Sequence, residues 1–402
     1  MLFRLMDIRV ITYESTSAAG INVSELRRAI DTRQSGLRRN DLPGSSIDTW
    51  IGKVPGLEEI ELGHWQSRNN ALADLAYRQG ELEATVEALK TQVGSHRVGV
   101  VMGSSTSSID RTEQAYTELD DGSLAEKYRQ AQVHNPDGPA LFVAERAGIT
   151  GPAVTINTAC SSSAKAFATA ARWLTTGIVD VVLAGGVDTL CLSVLHGFHS
   201  LQLVSSNPCK PLDRNRDGIN LGEAAGYALL IDADSNPELA DQFRNVSSGA
   251  SVSLRGYGES SDAHHMSHPH PEGAGARSAM LGALATAKLD PGEIGYVNLH
   301  GTSSRANDLI EGKQVADLFP SARASSTKAW MGHTLGAAGI TEAIICIDAL
   351  HRDLAPGTLN LDALDDGLEL NTSPENTEIP LKYALTNSFG FGGNNCSLLF
   401  EK

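Results

Sequence analysis

Cysteine is scarce in this 402-residue chain: there are five, and no C-x-x-C pair among them. So few, in odd number, exclude a disulfide framework and fit a reducing compartment, the cytoplasm. Long apolar runs are also missing. None reaches the ~18 residues that a membrane span requires. The opening MLFRLMDIRVITYEST lacks the long apolar core and small-residue cleavage site of a secretory signal. The N-x-S/T matches at Asn22, Asn245 and Asn371 therefore read as chance. Positive charge is short as well, with 32 Lys+Arg against 48 Asp+Glu and a formal charge of −16. A general nucleic-acid binder carries a basic footprint, so that class is excluded. An acidic protein partner would need a local basic patch. Neither G-x-x-x-x-G-K-[ST] nor a dinucleotide fingerprint occurs.

What is present is an ordinary globular balance, 41% hydrophobic and 20% charged, with glycine high at 39. The length allows two or three domains, or one large duplicated one. Short β-branched runs at Val98–Met102, Val179–Leu183, Tyr227–Ile231, Ile294–Leu299 and Ser397–Phe400 predict strands, several buried on both faces. Ser161–Thr176 and Thr341–Leu350 predict helices, the first with Gly177 as C-cap. The alternation gives layered α/β architecture. The polar, Pro-containing Asp232–Asn245 segment reads as the connection between two halves, 1–245 and 246–402. A longer self-similarity supports that division. NTACSSSAKAFATAARWL parallels MGHTLGAAGITEAIICIDAL, which would place Cys160 and His333 at equivalent helix N-termini. Small residues that merely allow close helix packing would give the same pattern.

Cys160 stands between a β-prone segment and a helix, in Asn157-Thr158-Ala159-Cys160-Ser161-Ser162-Ser163. Small neighbours permit a sharp turn, and a helix N-terminus stabilises a thiolate and lowers its pKa. Such a thiolate is a nucleophile and an acyl acceptor. The other four cysteines read as inert and buried. His300 ends a strand-like run, and His333 precedes a Gly/Ala-rich helix. Lys328 and Glu311 are placed to form a buried pair behind the histidines; two solvated surface charges are the alternative. In SFGFGGNN, Gly390, Gly392 and Gly393 surround Phe391, so the backbone there can approach a ligand and offer N–H groups to an oxyanion. The segment DAHHMSHPHPEG carries His264, His265, His268 and His270, but its prolines and lack of a helical i, i+4 frame argue against a metal site.

Together these residues resemble the β-ketoacyl-acyl-carrier-protein synthases, the condensing enzymes of fatty acid and polyketide synthesis, which share the thiolase fold. The resemblance runs from about Val98 to the C-terminus. It rests on the Cys160 segment, LAGGVD, PLDRNRDGINLGEAAG, DAHHMSHPHPEG, HGT, SSTKAWMGHTLGAAG and NSFGFGG. The two-histidine form is similar to the elongating branch. The resemblance implies a five-layer α/β/α/β/α fold of two duplicated halves. It implies a dimer, either a homodimer or a heterodimer with a related ketosynthase or chain-length-factor subunit. It implies a Cys160–His300–His333 triad supported by Lys328 and Glu311. The backbone N–H groups of Cys160 and Phe391 would form the oxyanion hole, with Phe391 gating the acyl pocket. Thr302 and Ser304 would contact the pantetheine arm. Lys210 would help dock an acidic acyl carrier protein, with Arg68 and Arg214 as weaker candidates that read as ordinary surface charges. No cofactor, metal or nucleotide would be needed. The stretch near Asn69 looks like ketosynthases of aryl-polyene clusters. A chain-length-factor-like partner subunit is the alternative, but such partners commonly lose the cysteine.

Three departures from the family pattern stand out. VITYESTSAAG replaces a Gly-rich start, Ser303-Ser304-Arg305 replaces Gly-Thr-Pro, and Asn394 stands where Thr is common. Arg305 puts a bulky cation beside the expected pantetheine entry.

Overall fold

The computed structural model describes residues 6–243 and 251–402. The expected division at 245/246, and the Asn245 match, lie outside these residues. Ten strands form the main sheet. In chain order they are β1 (Ile8–Ser17), β2 (Val98–Gly103), β3 (Ala153–Ile156), β4 (Val181–Asp188), β5 (Ala224–Asp232), β6 (Val252–Ser261), β7 (Tyr296–Asn298), β8 (Arg323–Ser325), β9 (Tyr383–Gly390) and β10 (Asn394–Glu401). Across the sheet they run β8-β7-β9-β10-β6-β1-β5-β4-β2-β3. Read outward from the middle, β1-β5-β4-β2-β3 and β6-β10-β9-β7-β8 are the same arrangement. Each half has its first, fourth and fifth strands antiparallel and its second strand parallel to both neighbours. The halves join where Ile8, Arg9 and Val10 of β1 pair with Leu254, Ser253 and Val252 of β6. The self-similarity in the sequence is thus a duplication of topology.

Two helices occupy corresponding crossovers. α1 (Ser162–Thr175) follows β3 and packs on β4 and β2; α4 (Ala338–Arg352) follows β8 and packs on β9 and β5, and the two touch each other. Residues 338–350 of α4 are buried all round, as in a helix enclosed between layers. Both helices share one core with Phe167, Ile340, Ile344 and Ile347. Outside the first half lies a second core, on the far face of β2, β4 and β5; outside the second half, α2 (Ala274–Ala287) and α3 (Arg305–Leu318) build a third. The result is the thiolase-like five-layer α/β/α/β/α fold.

Small residues let the central helices reach the strand ends. A Cβ on Gly103 would lie 2.2 Å from the Ser163 backbone, and one on Gly339 would lie 2.3 Å from Ala164 N. Close packing and duplication, the two readings of the small-residue pattern, both hold. The Ser163 hydroxyl accepts from Ile340 N at 2.9 Å and ties the two helix starts together. Among the described residues, no helix is long and apolar enough to cross a membrane.

Candidate active site

Cys160 sits at the turn between β3 and α1. The residue before it, Ala159, has φ 52, in the left-handed region. A non-glycine residue there is strained, and such strain is typical of a turn that presents a nucleophile. Cys160 is 5% exposed. Burial pushes the Cys160 thiol up to about 12, while the Lys328 ammonium and an N–H from Phe391 pull it down. The low thiolate pKa expected from the helix start is thus reversed. A dry chamber disfavours the anion more than its positive surroundings favour it.

His333 Nε2 lies 3.0 Å from Cys160 Sγ. The His333 backbone is clamped by segment 220–222, donating to Asn220 O at 2.7 Å and accepting from Gly222 N at 3.0 Å. Gly332, at φ 80, lets the chain pass this segment; a Cβ there would lie 2.8 Å from Gly222 N. The His300 ring is 5.3 Å from the His333 ring and at 85° to it. The ligand atoms of Cys160, His300 and His333 all lie within 4.8 Å of one another. Three distant segments therefore converge on one chamber. A thiol and two imidazoles at this spacing are also a zinc-type donor set. Burial and the Lys328 ammonium hold both imidazoles well below the usual histidine range, so the chamber is lined with neutral rings; His333 lowers His300 further.

The supporting charges differ from expectation. Lys328 is buried, but its carboxylate partner is Glu342 of α4, not Glu311. Glu311 instead holds the His300 backbone. It accepts from His300 N and Gly301 N, both at 2.8 Å, and from the amides of Asn387 and Asn307. The reason is topological: α4 runs under the Lys328 turn, whereas α3 starts below the His300 loop. Ser326 joins the two loops, donating its hydroxyl to Gly301 O at 2.6 Å. Glu342 escaped the sequence reading, though an acid set within the largely apolar run of α4 is a signal in itself. Asp188, at the end of β4, also escaped it. It accepts from Ser104, Ser105, Thr106 and Gly336, and so anchors the loops beside both helix starts.

Phe391 closes the chamber. Its N–H reaches Cys160 Sγ, and its ring stacks on Phe198 at 5.2 Å and 21°. Phe198 in turn meets the His333 ring edge-on at 6.5 Å. Gly390 makes the approach feasible: a Cβ there would lie 2.7 Å from Thr158 O. Asn394 opens β10 opposite Gly390. Gly392, which follows Phe391, donates to Met266 O at 2.7 Å, which seats the loop against the histidine-rich segment. In that segment His265 and His268 approach to 3.1 Å between Nδ1 atoms. Among the described residues, no group of three metal-type donors forms there.

A cavity of 340 Å³ leads to the sulfur, lined among others by Thr302, Ser304 and Arg305. Thr302 and Ser304 share a hydrogen bond of 2.9 Å. The docking candidates fare differently. Arg68 is no surface charge: it is largely buried and bound to Glu223 and Glu58. Arg214 pairs with Asp366 at the surface. Lys210 is already engaged by Asp362 at 2.7 Å, among the further carboxylates of Asp213 and Asp217.

Comparison with known proteins agrees with this geometry. The family model for the β-ketoacyl synthase N-terminal domain matches residues 65–236, and that for the C-terminal domain matches 252–362. A 3-oxoacyl-[acyl-carrier-protein] synthase 2 from Vibrio harveyi is 30% identical over 371 residues, covering 86% of each chain. The structure of a ketosynthase (ApeO) in complex with its chain length factor (ApeC) from Xenorhabdus doucetiae matches with TM-score 0.85 and 33% identity over 98% of each chain. A β-ketoacyl synthase from Burkholderia phymatum STM815 matches with TM-score 0.85 and 27% identity, covering 99% of this chain and 100% of that one. With its motifs in order and its cysteine and two histidines gathered on a duplicated frame, the chain belongs to the β-ketoacyl synthase family.

Proposed function

We propose that this chain is an elongating β-ketoacyl-acyl-carrier-protein synthase, an acyltransferase of fatty acid or polyketide synthesis. One observation carries the reading: a buried thiol 3.0 Å from a neutral imidazole, with a second neutral imidazole facing the same space. In the first half-reaction Cys160 attacks an acyl thioester. His333 takes the thiol proton as the S–C bond forms, which overcomes the high thiol pKa at the moment of attack. The proton then leaves with the departing pantetheine thiolate. N–H groups of Cys160 and Phe391 hold the oxyanion.

In the second half-reaction a malonyl thioester enters past Thr302 and Ser304. Its C–C bond to the carboxylate breaks, carbon dioxide leaves, and the electron pair forms an enolate. Neutral N–H donors of His300 and His333 stabilise the enolate oxygen. The enolate carbon attacks the Cys160 thioester, the S–C bond breaks, and the thiolate released takes up a proton from solvent water. The product is a 3-ketoacyl chain two carbons longer. Lys328 and Glu311 act as positioning residues, Lys328 by keeping the rings neutral and Glu311 by fixing the His300 loop. The reaction so written uses no cofactor.

The carbon donor and acceptor arrive on an acyl carrier protein in the cytoplasm. The working unit is a dimer, with a second copy or a related subunit. The free edge strand β3 supports this, being half-buried along its length where its neighbour β2 is fully buried. The relation to a ketosynthase–chain length factor complex supports it too. The retained cysteine and both histidines favour a catalytic subunit over a silent partner. The test is condensation of acyl- and malonyl-carrier protein, scored by carbon dioxide release and a product two carbons longer. Formation by wild type and not by Cys160→Ala supports the reading; no product with a competent carrier and partner subunit refutes it.

A further inference from the structure

We propose that Arg305 is a phosphate anchor that selects donors bearing a single pantetheine phosphate. The inference rests on the function proposed above. Among the described residues, Arg305 is the one Lys or Arg that lines the cavity leading to Cys160. It lies at the rim. Exposure rises from Thr302, 8% exposed, through half-buried Ser304 to exposed Arg305. The guanidinium makes no ion pair among the described residues. Asp365, an acid within its electrostatic reach, is already taken by Arg216 at 2.6 Å.

The backbone beneath it is built to hold this position. Ser303 has φ 69, a conformation that favours glycine, and its hydroxyl accepts from Lys210 N at 3.0 Å. Arg216, wholly buried, donates to Asp213 O and Arg305 O and lies beside Asp308. Asp308 in turn accepts from Leu212 N and Ser303 N. A strained, cross-tied turn thus ends in one outward-facing cation.

Charge selects the occupant. A guanidinium binds a phosphate in a fork of parallel N–H donors. A pantetheine thioester that reaches Cys160 past Thr302 and Ser304 leaves its phosphate end at the rim. The same cavity also carries the carboxylates of Asp217 and Asp262. One cation among carboxylates, on a chain of formal charge −16, suits a single phosphate group and disfavours the several phosphates of coenzyme A. The phosphate is therefore the carrier-borne one.

The experiment measures the donor concentration for half-maximal acylation of Cys160, by intact mass. One acyl group is presented on carrier protein, 4′-phosphopantetheine, coenzyme A and unphosphorylated pantetheine. Arg305→Ala is expected to weaken the carrier and phosphopantetheine donors about 10-fold and to leave pantetheine unchanged. Arg305→Lys should recover most of the loss. For wild type, coenzyme A should be a poorer donor than phosphopantetheine. Equal losses with and without the phosphate, no loss with phosphopantetheine, or a preference for coenzyme A would each overturn the assignment. Wild type unacylated by every donor would instead sink the underlying function; a donor-independent Arg305→Ala loss sinks only the anchor.

Discussion

The two crossovers of the duplicated frame make an instructive pair. In the first half, β3 leads through a strained turn to Cys160 and α1; in the second, β8 leads to His333 and α4. The strand arrangement is the same and the helix starts are tied together. The surroundings are opposite. Around Cys160 the support is a run of small alanine and serine residues, with Asp188 behind it held by hydroxyl and backbone N–H groups and no cation paired to it. Around His333 the support is a buried ion pair, Lys328 with Glu342. Duplication supplied two equivalent places to present a side chain. Divergence then made one a nucleophile and the other the electrostatic field in which it reacts.

Breaking each side of the pair should produce effects of different kind and size. Cys160→Ala removes the acyl acceptor and should cut condensation on the order of 10⁴–10⁶-fold, measured as product formed per enzyme. His333→Ala and His300→Ala should each lower condensation roughly 10²–10³-fold, as for loss of one oxyanion donor. Only His333→Ala should also slow acylation, because only His333 touches the sulfur. Rapid-quench acylation separates the two variants, and equal slowing would contradict the division of roles. Glu342→Ala leaves the Lys328 ammonium buried without its partner and should destabilise the chain by about 3–5 kcal/mol in urea. The double change Lys328→Met with Glu342→Gln should restore much of that.

The same double change sharpens the electrostatic half of the comparison. Folded His300 and His333 lie well below the usual value of 6.5. The unfolded chain therefore binds more protons below pH 6.5, so this stability is present above 6.5 and is lost as pH falls. Activity should likewise hold from pH 8 down to 6.5 and fall only well below it. Without the Lys328 charge the acid limb should move up toward 6.5, read from the pH profile of condensation; an unmoved limb would remove Lys328 from the field. The smallest effect expected is that of Lys210→Ala. It removes one part-exposed cation already paired with Asp362, so the KM for carrier protein should change by less than about twofold.

Much of this was legible in the sequence, for identifiable reasons. Strands such as Val98–Gly103 and Val181–Asp188 are buried on both faces and read as unbroken apolar runs. Ile8–Ser17 escaped because Thr12, Ser15 and Thr16 are polar yet buried, so no apolar run marks it. Tyr383–Gly390 escaped because its glycine end looks like a loop. The cysteine and histidines announced themselves by their places at strand and helix ends. Their supports did not. The partner of Lys328 is fixed by which helix passes beneath it, and spacing along the chain gave Glu311 no less claim than Glu342. Arg68 read as surface charge because its partner, Glu223, is far off in sequence. The direction of the Cys160 pKa was misread for a related cause. The helix start is visible in the sequence, but the dryness of the chamber is not.

The central claim is that one sulfur, held beside two neutral imidazoles, carries the growing chain. Peptide mapping of wild type after incubation with acyl-carrier protein tests it most directly. The account predicts a single acyl group per chain, on the peptide containing Cys160, and its discharge when malonyl-carrier protein is added. An acyl group on another residue, or one that persists in Cys160→Ala, would contradict it.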